Sequence, residues 1–279
     1  MSTQESVSRA DFDRLRSLIR AESGINLSPE KKTMVEVRLK RRLQSLGLSS
    51  YADYCRYVFA PATQAKELAH LIDAVSTNKT DFFREPDHFA FLTARALPEL
   101  DALFGAARRP LVWSAGCSTG EEPYSLAMAL SEYAETHAGF RFAVLATDIN
   151  TAVLEKARLG VFQSDTIRPV PRALRKKYFL RSRDPQSEVV RMVPEIRVKV
   201  EFRRLNFMEA DYGLPEALEI IFCRNVIIYF DRATQIRLLE RLVRALAPGG
   251  YFFAGHSESL QSMELPLELA GPAVYRKWK

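Results

Sequence analysis

The chain has 279 residues, 47% of them hydrophobic and spread throughout, enough for one large domain or a large domain with a smaller companion. No run approaches the roughly 18 to 20 apolar residues of a membrane helix, and the start, MSTQESVSRADFDRL, lacks the basic flank and hydrophobic stretch of a signal peptide, so a cytoplasmic chain without membrane insertion is expected. Cys55, Cys117 and Cys223 are far apart and in no metal-ligand spacing, which speaks against a disulfide framework and against a metal; the net charge of +6 favours an acidic partner and leaves nucleic acid, a membrane surface and an acidic protein in contention.

Residues 8 to about 75 read as helices only. SRADFDRLRSLIRAESG sets Phe12, Leu15, Leu18 and Ile19 at helical spacing and stops at Gly24. SPEKKTMVEVRLKRRLQSLG opens with Ser28 as N-cap and Pro29 in the first turn, presents Met34, Val35, Leu39, Leu43 and Leu46 as a stripe, and ends at Gly47. Two further helices, about 50 to 60 and 63 to 76, complete a small bundle. Lys31, Lys32, Arg38, Lys40, Arg41 and Arg42 give the second helix a dense positive face, either a solvated surface or a docking face for an acidic partner.

From Pro110 short apolar runs alternate with helices, as in a parallel sheet covered on both faces. LVWSA, RFAVLATD, KVEFRRLNF, EIIFCRN and YFFAGHS are candidate strands; EPYSLAMALSEYAE, TAVLEKARL and RATQIRLLERLVRAL are candidate helices, the last stopped by APGG. The final AVYRKWK reads as a closing edge strand. Between Tyr178 and Phe202 the alternation of Ile196, Val198, Val200 and Phe202 with Arg197, Lys199 and Glu201, broken by the turns DPQS and VPE, predicts a small antiparallel meander whose last strand enters the main sheet.

LVWSA runs into the turn SAGCSTG and then into a helix, the opening unit of a nucleotide-binding α/β domain. The spacing from Gly116 to Gly120 is GxxxG, there is no P-loop lysine, and Glu121 and Glu122 stand at the helix start, where they would repel a phosphate. A ligand that is cationic or uncharged at this end is expected, and S-adenosylmethionine fits; a tight strand-to-helix connection with no ligand is the other reading. The next strand ends in Asp148, placed to accept from ribose hydroxyls or to cap the helix from Thr151.

The stretches STNKTDFFREPDHF, VWSAGCSTGEEPYSLAM, LATDIN, IIFCRNVIIYFD and APGGYFFAGHSESL, in this order, together resemble the chemoreceptor glutamate methyltransferases, the CheR-type family, over essentially the whole chain. The resemblance implies an α/β fold, a class I S-adenosylmethionine-dependent methyltransferase with a Rossmann-like, mostly parallel sheet. It divides the chain into an N-terminal helical domain for receptor docking (1–75), a linker contributing to the cofactor site (76–92) and a methyltransferase domain (93–279) with a β-subdomain inserted at about 178–200. Asn78, Thr80 and Arg84 would face the cofactor, Gly116 would lie in its cradle, Glu122 would hold the positive end of its methionine portion and Asp148 its ribose. Asn206 and Phe207 would frame the adenine, Arg224 and Asn225 would lie beside it, and Tyr229 would border the transfer pocket, with Arg84 and Tyr229 as the catalytic pair.

The implied reaction turns glutamate side chains of receptors into methyl esters, with S-adenosylhomocysteine as product. A glutamate, with a reference pKa near 4.3, is ionised at neutral pH and needs no base. His256 in AGHSES therefore stands equally as a structural histidine, and Phe82, Phe83 and Phe89 read as core. The implied partners are the cytoplasmic helical domains of chemoreceptors, with the receptor's C-terminal peptide at the meander in some members; RSRDPQS here lacks the glycines of peptide-binding members. A monomer that binds no nucleic acid is expected. A nucleic-acid methyltransferase would use the same cofactor fold, but CRNVIIYF stands where an Asn-Pro-Pro-aromatic loop would be. A cofactor-binding regulator without turnover is the third reading.

Overall fold

The computed structural model describes residues 6–105, 109–184, 186–214 and 217–278. Met1 to Glu5 of the start quoted above, Pro185 of the expected DPQS turn and Lys279 of the expected last strand lie outside them. The helical part holds α1 (Arg9–Ser23), α2 (Lys32–Leu46), α3 (Tyr51–Phe59) and α4 (Pro61–Val75). The Ser8 side chain caps α1 by accepting from Asp11 N, and Gly24 ends it at φ 75. Pro29–Lys31 forms a 3-10 turn, so α2 proper starts after the expected Ser28 cap. Phe12, Leu15 and Ile19 of α1 pack with Val35, Leu39 and Leu43 of α2 and with Tyr54 and Leu71 in one core.

A helical run not expected from the sequence follows: α5 (Pro86–Phe91), a π turn at Leu92–Ala96, and α6 (Leu97–Phe104). The wide turn just ahead of Pro98, which has no N–H to donate, lets the run continue through that proline. The remaining elements are β1 (Leu111–Ala115), α7 (Glu121–Thr136), β2 (Ala143–Asp148), α8 (Thr151–Leu159), β3 (Val161–Gln163), α9 (Arg172–Tyr178), β4 (Phe179–Arg181), β5 (Val189–Met192), α10 (Pro194–Arg197), β6 (Val200–Arg204), β7 (Leu218–Cys223), α11 (Arg232–Ala245), β8 (Leu246–Ala254), β9 (Leu267–Gly271) and β10 (Val274–Lys277). The main sheet has the order β6-β2-β1-β7-β8-β10-β9, parallel except where β10 runs against β8 and β9. Successive strand residues serve opposite faces: Val112, Val144, Ile220 and Phe222 enter the core shared with α7, whereas Trp113, Leu145 and Ile221 enter the core beneath α11. The fold is thus a Rossmann-like, mostly parallel sheet with helices on both faces and an N-terminal helical bundle. No helix among the described residues is long and apolar enough to cross a membrane.

The structure corrects several local expectations. The meander is a separate three-stranded sheet, β3-β5-β4, which recruits Val161–Gln163 from before the expected insertion. The first part of its expected last strand is instead the short helix α10, while from Val200 on it is β6 and enters the main sheet as expected: Ile196 and Val200, at i and i+4, are buried, while Val198 between them is 82% exposed. Pro194 at the first helical position and a short apolar run, which suits either period, explain the misreading. The C-terminal strand is not at the edge, because β9 lies outside β10. APGG belongs to β8, whose pairing with β7 shifts register there, so the helix ends earlier, at Ala245.

The helical bundle is stitched to the sheet along one seam. Asp73 accepts from Thr151 N at 2.9 Å and Thr151 Oγ1 at 2.6 Å, Asn206 Nδ2 donates to Glu22 O at 2.6 Å, Asn26 N donates to Tyr229 O at 2.8 Å, and Arg20 pairs with Asp231 at 2.7 Å. Ile25 makes an isolated bridge with Phe230. The segment between α1 and α2 is thereby laid across the C-terminal ends of the parallel strands.

Candidate functional site

Strand order reverses at β1: the chain passes outward through β2 and β6, then returns to the other side of β1 as β7. The crevice at such a switch point, outside the carboxyl ends of the strands, is where open α/β sheets bind ligands. Here it is a cavity of about 520 Å³, roofed by the α1–α2 segment and by residues 75–80. Its size suits one small organic ligand, for which pockets run to about 300–1,000 Å³.

Gly116 turns the chain at φ 90, and both Gly116 N and Cys117 N donate to Thr147 O, at 2.8 and 2.9 Å. A Cβ on Gly116 would lie 2.4 Å from Val226 Cγ2, so glycine is demanded by both angle and space. Ser118 follows in the left-handed region, at φ 50; its N–H donates to Asp148 Oδ2 at 2.8 Å and its Oγ to Asn78 O at 2.9 Å. Asp148 Oδ1 accepts from Asn150 N at 2.9 Å, which leaves free lone pairs on a carboxylate that borders the cavity. Burial lifts the Asp148 carboxyl above its usual value, opposed by the backbone N–H groups of Asn150 and Ser118. Asn150, not Asp148, caps α8.

Of the paired acids at the start of α7, Glu122 borders the cavity and Glu121 turns to Thr119. Ser114 Oγ donates to Glu122 Oε1 at 2.7 Å, and Arg224 Nε lies 3.1 Å from Glu122 Oε2, although its N–H is not aimed at that oxygen. Burial raises the Glu122 carboxyl, while the Arg224 charge and the Ser114 hydroxyl pull it down. Arg224 also donates to Arg84 O at 2.6 Å and lies 3.3 Å, through Nη1, from His88 Nδ1.

Asn78, Thr80, Arg84, Asn206, Phe207, Asn225 and Tyr229 all border the same cavity, so the structure brings the expected cofactor and catalytic positions together. Their side chains differ in freedom. Among the described residues the Arg84 side chain donates only to Lys79 O, at 3.3 Å. Asn206 is spent on Glu22 O and Met208 N, and Phe207 packs edge-on to Trp113.

The six expected docking cations do not form one face. Arg38 donates to Val75 O and Ser76 O at 2.6 and 2.9 Å, and Arg42 is bidentate to the buried Glu67 at 2.9 and 2.6 Å, so both are turned inward. Lys32 lies 3.7 Å from Glu36. Lys31, Lys40 and Arg41 are exposed, with Lys31 at the cavity itself. His256 is on the surface, 3.0 Å from Asp87. Glu85, His88 and His256 converge to within 4.8 Å, but the His88 ring is committed: Nε2 donates to Pro272 O at 3.2 Å and Nδ1 accepts from Arg224, leaving no lone pair for a metal. Burial, then the Arg224 charge, lowers His88 to about 4 and keeps it neutral.

Sequence reasoning missed Ser118, the α1–α2 residues Ile25 and Asn26, Val226 and Glu258. Only Ser118 had a signal, its place between the two glycines of the turn.

Comparison with known proteins gives consistent matches. The family model described as CheR methyltransferase, all-alpha domain, matches residues 10–76, and that described as CheR methyltransferase, SAM binding domain, matches residues 78–275. The Pseudomonas aeruginosa chemotaxis protein methyltransferase 2 is 41% identical over 268 residues, 96% of this chain and 92% of that protein. The Escherichia coli chemotaxis protein methyltransferase is 40% identical over 275 residues, 99% of this chain and 93% of that protein. The Borreliella burgdorferi chemotaxis protein methyltransferase is 36% identical over 274 residues, 97% and 95% respectively.

Proposed function

The chain belongs to the CheR methyltransferase family, and from that membership we propose that it methylates the side-chain carboxylates of specific glutamates in chemoreceptors, using S-adenosylmethionine. The observation that carries the reading is the cavity at the strand switch point, walled by a phosphate-excluding glycine turn, the buried Glu122 and the half-buried Asp148. S-adenosylmethionine supplies, when bound, a methyl group on a cationic sulfonium. The residues fit it. Glu122 holds an ammonium group, and the free lone pairs of Asp148 accept from ribose hydroxyls. The apolar walls from Val226, Ile25 and Phe230 exclude water from the acceptor. Arg84, with no carboxylate of its own among the described ion pairs, orients the incoming glutamate, and Tyr229 offers an aromatic wall to positive charge. No residue is needed as base, because the acceptor is already ionised. In this reading the enzyme acts in the cytoplasm, as a monomer, on receptor helices, and neutralising their charge is the adaptation signal. Given labelled methyl donor together with receptor fragments, RNA and DNA, it should label the receptor alone. Label in nucleic acid would overturn the proposal.

Acids that face a ligand's ammonium group and ribose hydroxyls make binding depend on pH in a defined direction. Glu122 and Asp148 have raised pKa values, so folding disfavours their ionised forms and the ligand-free chain loses stability as pH rises through those values. An ammonium group at Glu122 and donating hydroxyls at Asp148 restore that loss, and binding must expel any proton still held. Affinity for S-adenosylhomocysteine should therefore fall as pH drops through the raised carboxylate range, with proton release on binding; calorimetry between about pH 8 and 5 measures both. A flat profile without proton release would remove the two acids from the ligand.

With the exposed Lys31 at the cavity, Lys40 and Arg41 are the two exposed cations of the six that remain to steer an acidic receptor. Reversing both to Glu should raise KM for a receptor fragment about 10-fold, with kcat within about twofold and the effect shrinking in high salt. An unchanged KM at low salt would take α2 out of docking.

A further inference from the structure

The turn after β8 contains a carboxylate that no catalytic reading used. Glu258 is 6% exposed. Its Oε2 accepts from Asn225 N at 2.7 Å and Gly255 N at 2.8 Å, and its Oε1 from Ile227 N at 2.8 Å and Ile228 N at 3.4 Å. Backbone N–H groups from the ends of both β7 and β8 thus converge on one side chain, and they rather than a cation offset its charge. We propose that Glu258 is a positioning residue, whose buried carboxylate fixes the loop after β7 and so sets Asn225, Val226 and Tyr229 at the wall where the acceptor is held; this rests on the methyltransferase reading above.

The geometry around the carboxylate is that of a moulded loop. Asn225 is held in the left-handed region at φ 57, a conformation non-glycine residues adopt at a cost. Val226 then presses on Gly116, and Ile227 is 2% exposed. Gly255 leaves room for the cradle: a Cβ there would lie 2.6 Å from Asn225 Nδ2 and 2.8 Å from Glu258 Oε2. Burial raises the Glu258 carboxyl while the Gly255, Asn225, Ile227 and Ile228 N–H groups lower it, as expected of a desolvated acid answered by backbone dipoles. A glutamine of the same shape would keep one acceptor oxygen and turn an NH₂ towards two of those N–H groups, freeing half of the loop.

The test compares the full chain with its Glu258→Gln and Glu258→Asp variants. In ligand-free hydrogen exchange, Glu258→Gln should lose protection about 10-fold or more at Asn225 and Gly255 or at Ile227, as for a lost hydrogen bond to a charged group, with the amides of α1–α4 and β2 unchanged. At a temperature well below unfolding, kcat for a receptor fragment should fall about 10-fold or more while KM stays within about threefold, and Glu258→Asp should recover part of the loss. Wild-type exchange at those amides, or a lower Tm with kcat unchanged, would overturn the proposal. If Glu258→Gln does not fold, Glu258→Asp carries the test, and wild-type exchange and turnover in it overturn the proposal. Failure of both variants to fold would also overturn it, because the carboxylate would then serve the fold alone. The exchange arm stands even if the wild-type chain methylates no receptor, so the two readings fail separately.

Discussion

Asp148→Asn should weaken S-adenosylhomocysteine binding by about 100-fold or more. Asp148 is fixed by Ser118 N at one oxygen and Asn150 N at the other, so both oxygens are aimed before a ligand arrives. An amide can satisfy only one of those N–H groups and turns its own NH₂ towards the other, which swings the remaining oxygen away from the cavity. Hydrogen bonds to a charged partner contribute about 1.5–3 kcal/mol each, and two ribose hydroxyls at the lower figure already give about 3 kcal/mol, or about 100-fold. The fold should survive with a Tm lower by only about 2–4 °C, since about 1 kcal/mol of backbone hydrogen bonding is at stake. Calorimetric titration at one temperature checks the affinity. A loss of threefold or less would mean that the acid caps structure and does not touch the ligand.

Glu67→Ala should have the largest effect on stability with little direct effect on the chemistry. Glu67 is 1% exposed, accepts from Arg42 Nε and Nη2, and accepts from Tyr54 Oη at 3.0 Å. Removing it strips the buried Tyr54 hydroxyl and the Nε and Nη2 donors of Arg42 of their acceptor. Breaking a buried pair on one side costs about 3–5 kcal/mol, which for a chain of this length should lower the Tm by about 5–9 °C. Thermal denaturation measures this; receptor KM at a temperature where the variant is still folded separates the role from docking. A Tm within about 2 °C of wild type would show that the pair is worth no more than an exposed one.

Arg42 also shows where the sequence misleads. On α2 it stands three residues after Leu39 and next to Leu43, so helical geometry puts it on the border of the apolar stripe, as it does Arg38 after Val35. A count of charges gives a face of six cations; the angles remove two of them. The sheet was legible because its strands are unbroken apolar runs ended by glycine or acid, as in LVWSA before Gly116 and FAVLATD at Asp148. The turn was legible for a chemical reason: Glu121 and Glu122 at a helix start exclude phosphate.

What the sequence could not show depends on contacts between distant segments. Nothing in GINLS announces that Asn26 N will meet Tyr229 O, because a backbone donor has no residue signature. Glu258 looks like one more surface acid until its neighbours from β7 are in place. Helix α10 was misread and edge strand β9 missed because four or five residues of mixed character fit either period, and tertiary packing decides between them.

The claim on which the rest depends is that the acceptor is a carboxylate. It is tested most directly by transferring a labelled methyl group to a purified receptor cytoplasmic fragment and treating the product with mild alkali. The account predicts quantitative release of labelled methanol, with the methyl mapped by mass spectrometry to glutamates before treatment. Label that survives alkali, on lysine, arginine or any other side chain, would contradict it.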